Sequence, residues 1–134
     1  MSAAPVLDSH ALLVFLRGEA GDEKVAALLE AASERDHPLH MTEVNYAEVK
    51  CMILRKDGAE RWAGIARDLA TLPLEFHPAT RTLADLAADF KARYKLSLAD
   101  AFALALAREK NAPLVTGNPE FKAVEKEVKI DWLK

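Results

Sequence analysis

Four polar residues stand at element junctions or on a helical face that otherwise looks buried: Asp8, Glu48, Asp100 and Asn118. Asp8 closes the short apolar run Pro5-Val6-Leu7. Glu48 shares a helix face with Asn45, three residues earlier. Asp100 follows Ser97 by three residues, the spacing of a capping box, at the start of Ala101–Leu106, a stretch apolar on nearly every face. Asn118 lies just past the β-prone Leu114-Val115, in the turn signal Thr116-Gly117-Asn118-Pro119. Taken singly, each has an ordinary role: Asp8 a helix cap, Asp100 half of a capping box, Glu48 a solvated helix residue, Asn118 a turn former. Together they define a chemistry. Two carboxylates ~4 Å apart repel by ~4 kcal/mol at an effective dielectric near 20. Three converging acids therefore raise one another's pKa unless a cation neutralises them. Carboxylate oxygens suit hard ions such as Mg2+ or Mn2+, which keep waters and bind phosphates. Such a site supports in-line hydrolysis of a phosphodiester and requires no Ser, Cys or His nucleophile.

The elements that must carry these residues follow from periodicity and breakers. A strand is expected over 4–8, then a helix over 9–17 that Gly18 ends. Val25, Leu28, Leu29 and Ala32 mark a helix over 22–35, broken at His37-Pro38 before a brief strand at Leu39-His40-Met41. Thr42 caps the next helix, with Val44, Ala47, Cys51 and Leu54 on its apolar side and Asp57-Gly58 at its end. A helix over 59–71 and a strand over 73–77 come next. Thr80 or Thr82 starts a helix to about Tyr94 with Leu83, Leu86 and Phe90 aligned. The helix opened by Ser97 stops at Lys110-Asn111 before Pro113, and Leu114-Val115 forms a strand. Residues 128–133 alternate as a last strand at a sheet edge. Strands alternating with helices predict an α/β fold, a three-layer sandwich with a mainly parallel central sheet flanked by helices. Ligands in such folds sit beyond the carboxyl ends of the strands.

Composition bounds the rest. A length of 134 residues suits one domain over 1–134, long enough to bury roughly two-thirds of its unfolded-chain surface. With 51% hydrophobic and 29% charged residues, the chain is expected to fold rather than stay disordered. Cys51 is the sole cysteine, which excludes an intramolecular disulfide and a cysteine-clustered metal site. No apolar run approaches the ~20 residues that span a bilayer, and the N-terminus lacks a signal-peptide pattern, so no membrane association and a cytoplasmic location are expected. A net charge of −3 offers no global basic field for nucleic acid, although clustered acids can mask a basic rim. Arg17, Lys50, Arg55, Lys56, Lys91, Arg93 and Lys95 are the residues available for such a rim, if they are not simply solvated helix faces. His10 adjoins Asp8 and is placed to touch a substrate. His37, His40 and His77 flank strands and read as structural or exposed, because no two histidines have the helical spacing of metal ligands. Trp62 and Trp132 read as core or interface residues. The absence of Gly-x-Gly-x-x-Gly and of Gly-x-x-x-x-Gly-Lys-Ser/Thr argues against dinucleotide and NTP enzymes. Asp8-Ser9-His10 also lacks the second Asp that aspartyl-phosphate phosphatases carry two residues after the first.

Four segments in order carry a family resemblance: Val6-Leu7-Asp8-Ser9-His10-Ala11, Asn45-Tyr46-Ala47-Glu48-Val49, Ser97-Leu98-Ala99-Asp100-Ala101 and Leu114-Val115-Thr116-Gly117-Asn118-Pro119-Glu120-Phe121. Over nearly its whole length the chain resembles the PIN-domain ribonucleases, particularly the VapC-type toxins of prokaryotic toxin–antitoxin pairs. The resemblance implies a metal-dependent endoribonuclease that hydrolyses RNA with Mg2+ or Mn2+. It makes Asp8, Glu48 and Asp100 catalytic, with Asp8, Asp100 and, more weakly, Asn118 on the metal. Asn45, Ser97 and Thr116 support the site. It further implies the toxin of a type II pair, held inactive by a small antitoxin that inserts into the acidic groove. A homodimer formed through helices of the N-terminal half is also implied. Asn118 departs from the family, whose members often carry Asp there; it removes one negative charge and weakens a second metal site, for which Glu120 is a partial substitute. The alternative is a PIN-like RNA- or protein-binding module with weak or no nuclease activity.

Overall fold

A computed structural model of the chain describes residues 3–133. In chain order the elements are β1 (Val6–Leu7), α1 (Ser9–Arg17), α2 (Asp22–Arg35), β2 (Leu39–Thr42), α3 (Glu43–Asp57), α4 (Ala59–Leu69), β3 (Leu74–His77), α5 (Arg81–Arg93), α6 (Leu98–Lys110), β4 (Leu114–Thr116), a 3-10 helix (Pro119–Val124) and β5 (Ile130–Trp132). The strands form one sheet in the order β3-β2-β1-β4-β5, and every described pairing is parallel. Val6 of β1 sits between His40 of β2 and Leu114 of β4. The chain builds outward from β1 to β3, then returns to the other side of β1 for β4 and β5. The strand order thus reverses between β1 and β4, and their carboxyl ends frame the crevice where such folds bind ligands.

Alternation along the short strands sends side chains to two helical layers. Val6 and Leu114 pack with Leu83, Ala87 and Phe90 of α5 and the buried face of α6. Leu7, Val115 and Leu39 face the other way, against Ala11 and Val14 of α1 and Val25 and Leu29 of α2. On that same side Met41 joins Leu12, Val49, Ile53, Trp62, Ile65 and Leu69, which locks α3 and α4 onto α1. The result is the expected three-layer sandwich with a parallel sheet. Among the described residues no helix is long and apolar enough to cross a membrane.

Several local expectations change. β1 is shorter than 4–8 because Asp8 has left the ladder to cap α1, accepting a hydrogen bond from Ala11 N at 2.8 Å. Gly18 ends α1 at φ 63, a left-handed geometry that favours glycine. The inward stripe of α3 is Asn45, Val49 and Ile53, whereas Ala47, Cys51 and Leu54 are exposed. The cause is the buried Asn45 amide, whose hydrogen bonds set the rotation of the helix. α4 ends at Leu69 rather than 71, where the Thr71 hydroxyl donates to the Asp68 carbonyl. Thr80, not Thr82, caps α5 by accepting from Leu83 N at 3.1 Å. The last strand pairs only over Ile130–Trp132, since Val128 turns into the core. It does lie at the sheet edge.

Candidate active site

Because β1 and β4 are neighbours, the residues that end them meet. Asp8 is 1% exposed, and the Thr116 hydroxyl donates to its Oδ2. That same hydroxyl oxygen accepts from the Asn118 backbone N at 3.0 Å. Burial pushes the Asp8 carboxyl up to about 7, outweighing the hydrogen bonds from Thr116 and Ala11, and the negative charges of Asp100 and Glu48 add to the rise. Asp100 sits in the first turn of α6. Ser97 caps that helix by accepting from Asp100 N at 3.1 Å. Burial raises the Asp100 carboxyl also, against the hydrogen bonding of Ser97, and Glu48 and Glu120 reinforce the rise.

Glu48 comes from the middle of α3, and its direction depends on Asn45. The Asn45 side chain is fully buried and its Nδ2 donates to Ser9 Oγ at 3.0 Å and to the Ala99 carbonyl at 3.1 Å. Its Oδ1 accepts from the Thr42 hydroxyl, and its backbone N donates to Thr42 Oγ1 at 2.9 Å. One amide thereby ties α3 to α1 and α6, one turn before Glu48. Glu48, Asp100, Ser97, Ser9, Arg17 and Met52 line a common cavity of about 320 Å3. Asp8 lies buried beside it, within the field of both acids. Among the described residues no lysine, arginine or histidine nitrogen lies within 4.0 Å of these three carboxylates.

The three carboxylates form an all-oxygen donor set with excess negative charge, which suits a hard divalent ion. Their oxygens do not all fall within 4.8 Å of one another, a spread that suits an ion keeping several of its waters.

Asn118 is placed differently from a simple ligand. Its Nδ2 donates to Asp100 Oδ2 at 3.1 Å, while its Oδ1 accepts from Glu120 N at 3.1 Å and caps the 3-10 helix. Where an acid would add repulsion, this amide supplies Asp100 with a donor. Glu120 is exposed, and its charge is felt at Asp100.

The expected basic rim is thinner than its sequence count. Arg17 lines the cavity and pairs with Asp57 at 3.6 Å. Lys50 lies over Trp62, 5.7 Å from the ring centroid, and Lys91 donates to the Leu96 carbonyl at 2.8 Å. Arg93 makes a two-pronged contact with Glu127 at 2.9 and 3.1 Å. Arg55, Lys56 and Lys95 are exposed. Trp62 is a core residue, as read from the sequence.

Two residues of the site had no signal in their own spacing. Ser9 bonds Asn45 and lines the cavity, and only its adjacency to Asp8 pointed to it. Gly117 lies under His10: a Cβ there would come within 2.8 Å of His10 Nε2. His10 borders both the acidic cavity and a second groove of about 540 Å3 that runs past Val14, Gly117 and Trp132.

Comparison with curated protein sequences finds none that matches. Among solved structures, the DNA-bound VapBC of Salmonella typhimurium superposes with TM-score 0.76 at 13% identity, covering 100% of both chains. VapBC2 of Rickettsia felis bound to a promoter DNA fragment gives 0.73 at 12% identity, over 96% of this chain and 97% of that one. The VapC20 toxin of Mycobacterium tuberculosis, described as cleaving the sarcin–ricin loop, gives 0.67 at 17% identity, over 90% of this chain and 94% of that one. The neighbours in structure are thus toxins of toxin–antitoxin systems, and at these identities they establish a shared fold. The sequence itself matches the PIN domain over residues 6–127, and a match running from the first strand through the 3-10 helix makes this chain a member of the PIN-domain family.

Proposed function

We propose that this chain is a metal-dependent endoribonuclease that hydrolyses RNA phosphodiesters, and that it is the toxin of a type II toxin–antitoxin pair, acting in the cytoplasm as one PIN-like domain over 1–134. The observation that carries this is the convergence of three carboxylates, Asp8 buried at the end of β1 and Asp100 and Glu48 on the adjoining cavity. Among the described residues no cationic nitrogen lies within 4.0 Å of any of them. A protein gains nothing in stability from such an arrangement, whereas a divalent cation makes use of it.

In this reading Asp8 and Asp100 hold Mg2+ or Mn2+, and Asn118 contributes weakly because its oxygen faces Glu120 N. A divalent ion held there would make a bound water more acidic and screen the charge that builds on the phosphate oxygens. Glu48, on the cavity wall, accepts a proton from the attacking water. Thr116 keeps Asp8 in one orientation, Ser97 fixes the first turn that carries Asp100, and Asn45 holds α3 so that Glu48 faces Asp100. Arg17, on the rim of the same cavity, meets a backbone phosphate.

The toxin role draws on the structural neighbours, among them a toxin–antitoxin complex of Klebsiella pneumoniae. A small antitoxin that places a basic side chain among the acids would neutralise them as a metal does and block the cavity. Met52 and Leu54 on α3 are large exposed apolar residues in the N-terminal half and supply surface for a homodimer. Asn118 favours one alternative, a PIN-like binding module with weak cleavage, because its amide satisfies Asp100 without a second ion.

Purified protein with Mg2+ or Mn2+ and labelled RNA separates the two. Wild type should cleave, and Asp8→Asn should lose roughly 100-fold or more of the rate, more than the roughly 10–100-fold typical of a partner outside the ligand set, because it removes a charge from the ligand set itself. Equal residual cleavage in both proteins would assign it to a contaminant and leave a binding role.

A further inference from the structure

The edge of the sheet away from the acidic centre holds a second group of potential ligands. In the parallel register of β2 and β3, His40 is opposite Glu75 and Thr42 is opposite His77. His40, Glu75 and His77 therefore project from the same sheet face, the face that also carries Val6. His40 Nδ1 lies 2.9 Å from His77 Nε2, and Glu75 Oε1 lies 3.5 Å from the first and 3.6 Å from the second. Among the described residues this is the one trio of potential ligands whose donor atoms all lie within 4.8 Å of one another.

We propose that His40, Glu75 and His77 form a binding site for a borderline divalent transition ion of the Zn2+ type, separate from the acidic centre. A tetrahedral ion with bonds of about 2.0–2.1 Å holds its ligand atoms about 3.3–3.4 Å apart, and the three observed separations bracket that value. The two imidazole planes are inclined at 57° rather than stacked, and their facing nitrogens hydrogen-bond to each other at 2.9 Å, a contact an ion would replace. Two histidines and a carboxylate are a known zinc donor set that leaves a fourth position open. Here that position faces water on the side of Glu75, which is 54% exposed, while the histidine side chains are 14% and 17% exposed.

Burial, His77 and Lys110 together hold the His40 imidazole below its ordinary pKa, which keeps it in the neutral form that ligates. The Lys110 cation opposes a metal, and the Glu75 carboxylate offsets it. Imidazole nitrogen selects Zn2+ or Co2+ over the hard ions suited to the carboxylate centre. β3 lies two strands from β1, about 10 Å across the sheet, and the two sites share no ligand. With an ion bound, edge strand β3 is pinned to β2 by side chains as well as by its ladder.

Co2+ titration of the full chain in excess Mg2+ tests this, with visible absorption reporting geometry. Wild type should take up one Co2+ with the intense d–d bands of a tetrahedral site. Zn2+ should displace the ion and raise the melting temperature by several degrees. Glu75→Gln should weaken Co2+ binding at least tenfold, and His77→Gln should abolish it. Asp8→Asn should leave it unchanged. Absence of a tetrahedral spectrum in wild type would overturn the proposal. So would binding that survives Glu75→Gln at full affinity or disappears in Asp8→Asn. Glu75 is exposed, so its variant decides the matter even if His77→Gln fails to fold.

Discussion

Asp8 should make the metal-free protein less stable as pH rises, and Asp8→Asn should remove that loss. The carboxyl has an ordinary value of 3.8 and stands at about 7 in the folded chain. The folded state therefore binds this proton more tightly than the unfolded state does. Stability from the group is fully present below about 4, falls as pH rises toward 7 and is flat above it. At about 1.4 kcal/mol per pH unit, the two units between pH 5 and 7 amount to roughly 2–3 kcal/mol lost from wild type by pH 8. The carboxyl is buried, so solvent screening does not dilute the effect. An asparagine can still accept from Ala11 N and meet the Thr116 hydroxyl, but it carries no charge to desolvate. Urea unfolding of both proteins in EDTA at pH 5 and pH 8 isolates the acidic centre, because titrations of groups not coupled to Asp8 cancel in the difference. The midpoint of Asp8→Asn should gain about 1–3 M urea on wild type across that interval, for slopes of about 1–3 kcal/mol per M. Mg2+ should then stabilise wild type and leave the variant unmoved. A difference between the two proteins that is the same at both pH values would refute the reasoning.

Other residues of the site give sharper local tests. Asn118→Asp replaces a donor 3.1 Å from Asp100 Oδ2 with a second negative charge, so Mn2+ affinity by calorimetry should rise tenfold or more; unchanged affinity would reduce residue 118 to a turn former. Asn45→Ala removes a buried amide that serves Ser9, Thr42 and the Ala99 carbonyl. It should cost about 2–4 kcal/mol in denaturant unfolding, with RNA cleavage falling further than stability alone explains. Gly117→Ala forces His10 off its position, since the new Cβ would lie 2.8 Å from Nε2. The His10 ring resonances should shift in NMR, and a melting temperature and spectrum identical to wild type would show that the ring is not packed there. Thr116→Val removes a hydrogen bond that lowers the Asp8 pKa, so the carboxyl should titrate higher still by carbon-detected NMR.

Much of the frame was legible because its boundaries are chemical. Gly18, His37-Pro38 and Ser97 delimit α1, α2 and α6 at the residues expected, as each breaks or starts a helix through its own backbone or side chain. Asp8 and Asp100 were legible for the same reason, since they sit where a strand ends and where a helix begins, whereas Glu48, in the middle of α3, was legible only through its spacing from Asn45. The inward face of α3 was not, because hydrophobic period counts Asn45 as polar and therefore outward. Only its partners on α1 and α6, 36 and 54 residues away, make it a core residue. The convergence of His40 and His77, 37 residues apart, was hidden likewise. A search for histidines at helical spacing cannot see side chains brought together by strand register. The 3-10 helix after Asn118 was masked by its Pro119, which reads as a breaker and here sits in the first position of a short helical turn.

The central position of β1 has a consequence during synthesis. Its one flank is filled by residues 39–42, but the other waits for residues 114–116. Until those are translated, Asp8 lacks the Thr116 hydroxyl and the middle of the sheet has a bare edge. The centre of the fold is thus assembled only once residues 114–116 have been made. A chain cut before residue 114 should therefore leave Asp8 without its hydroxyl partner and β1 without one of its two neighbours.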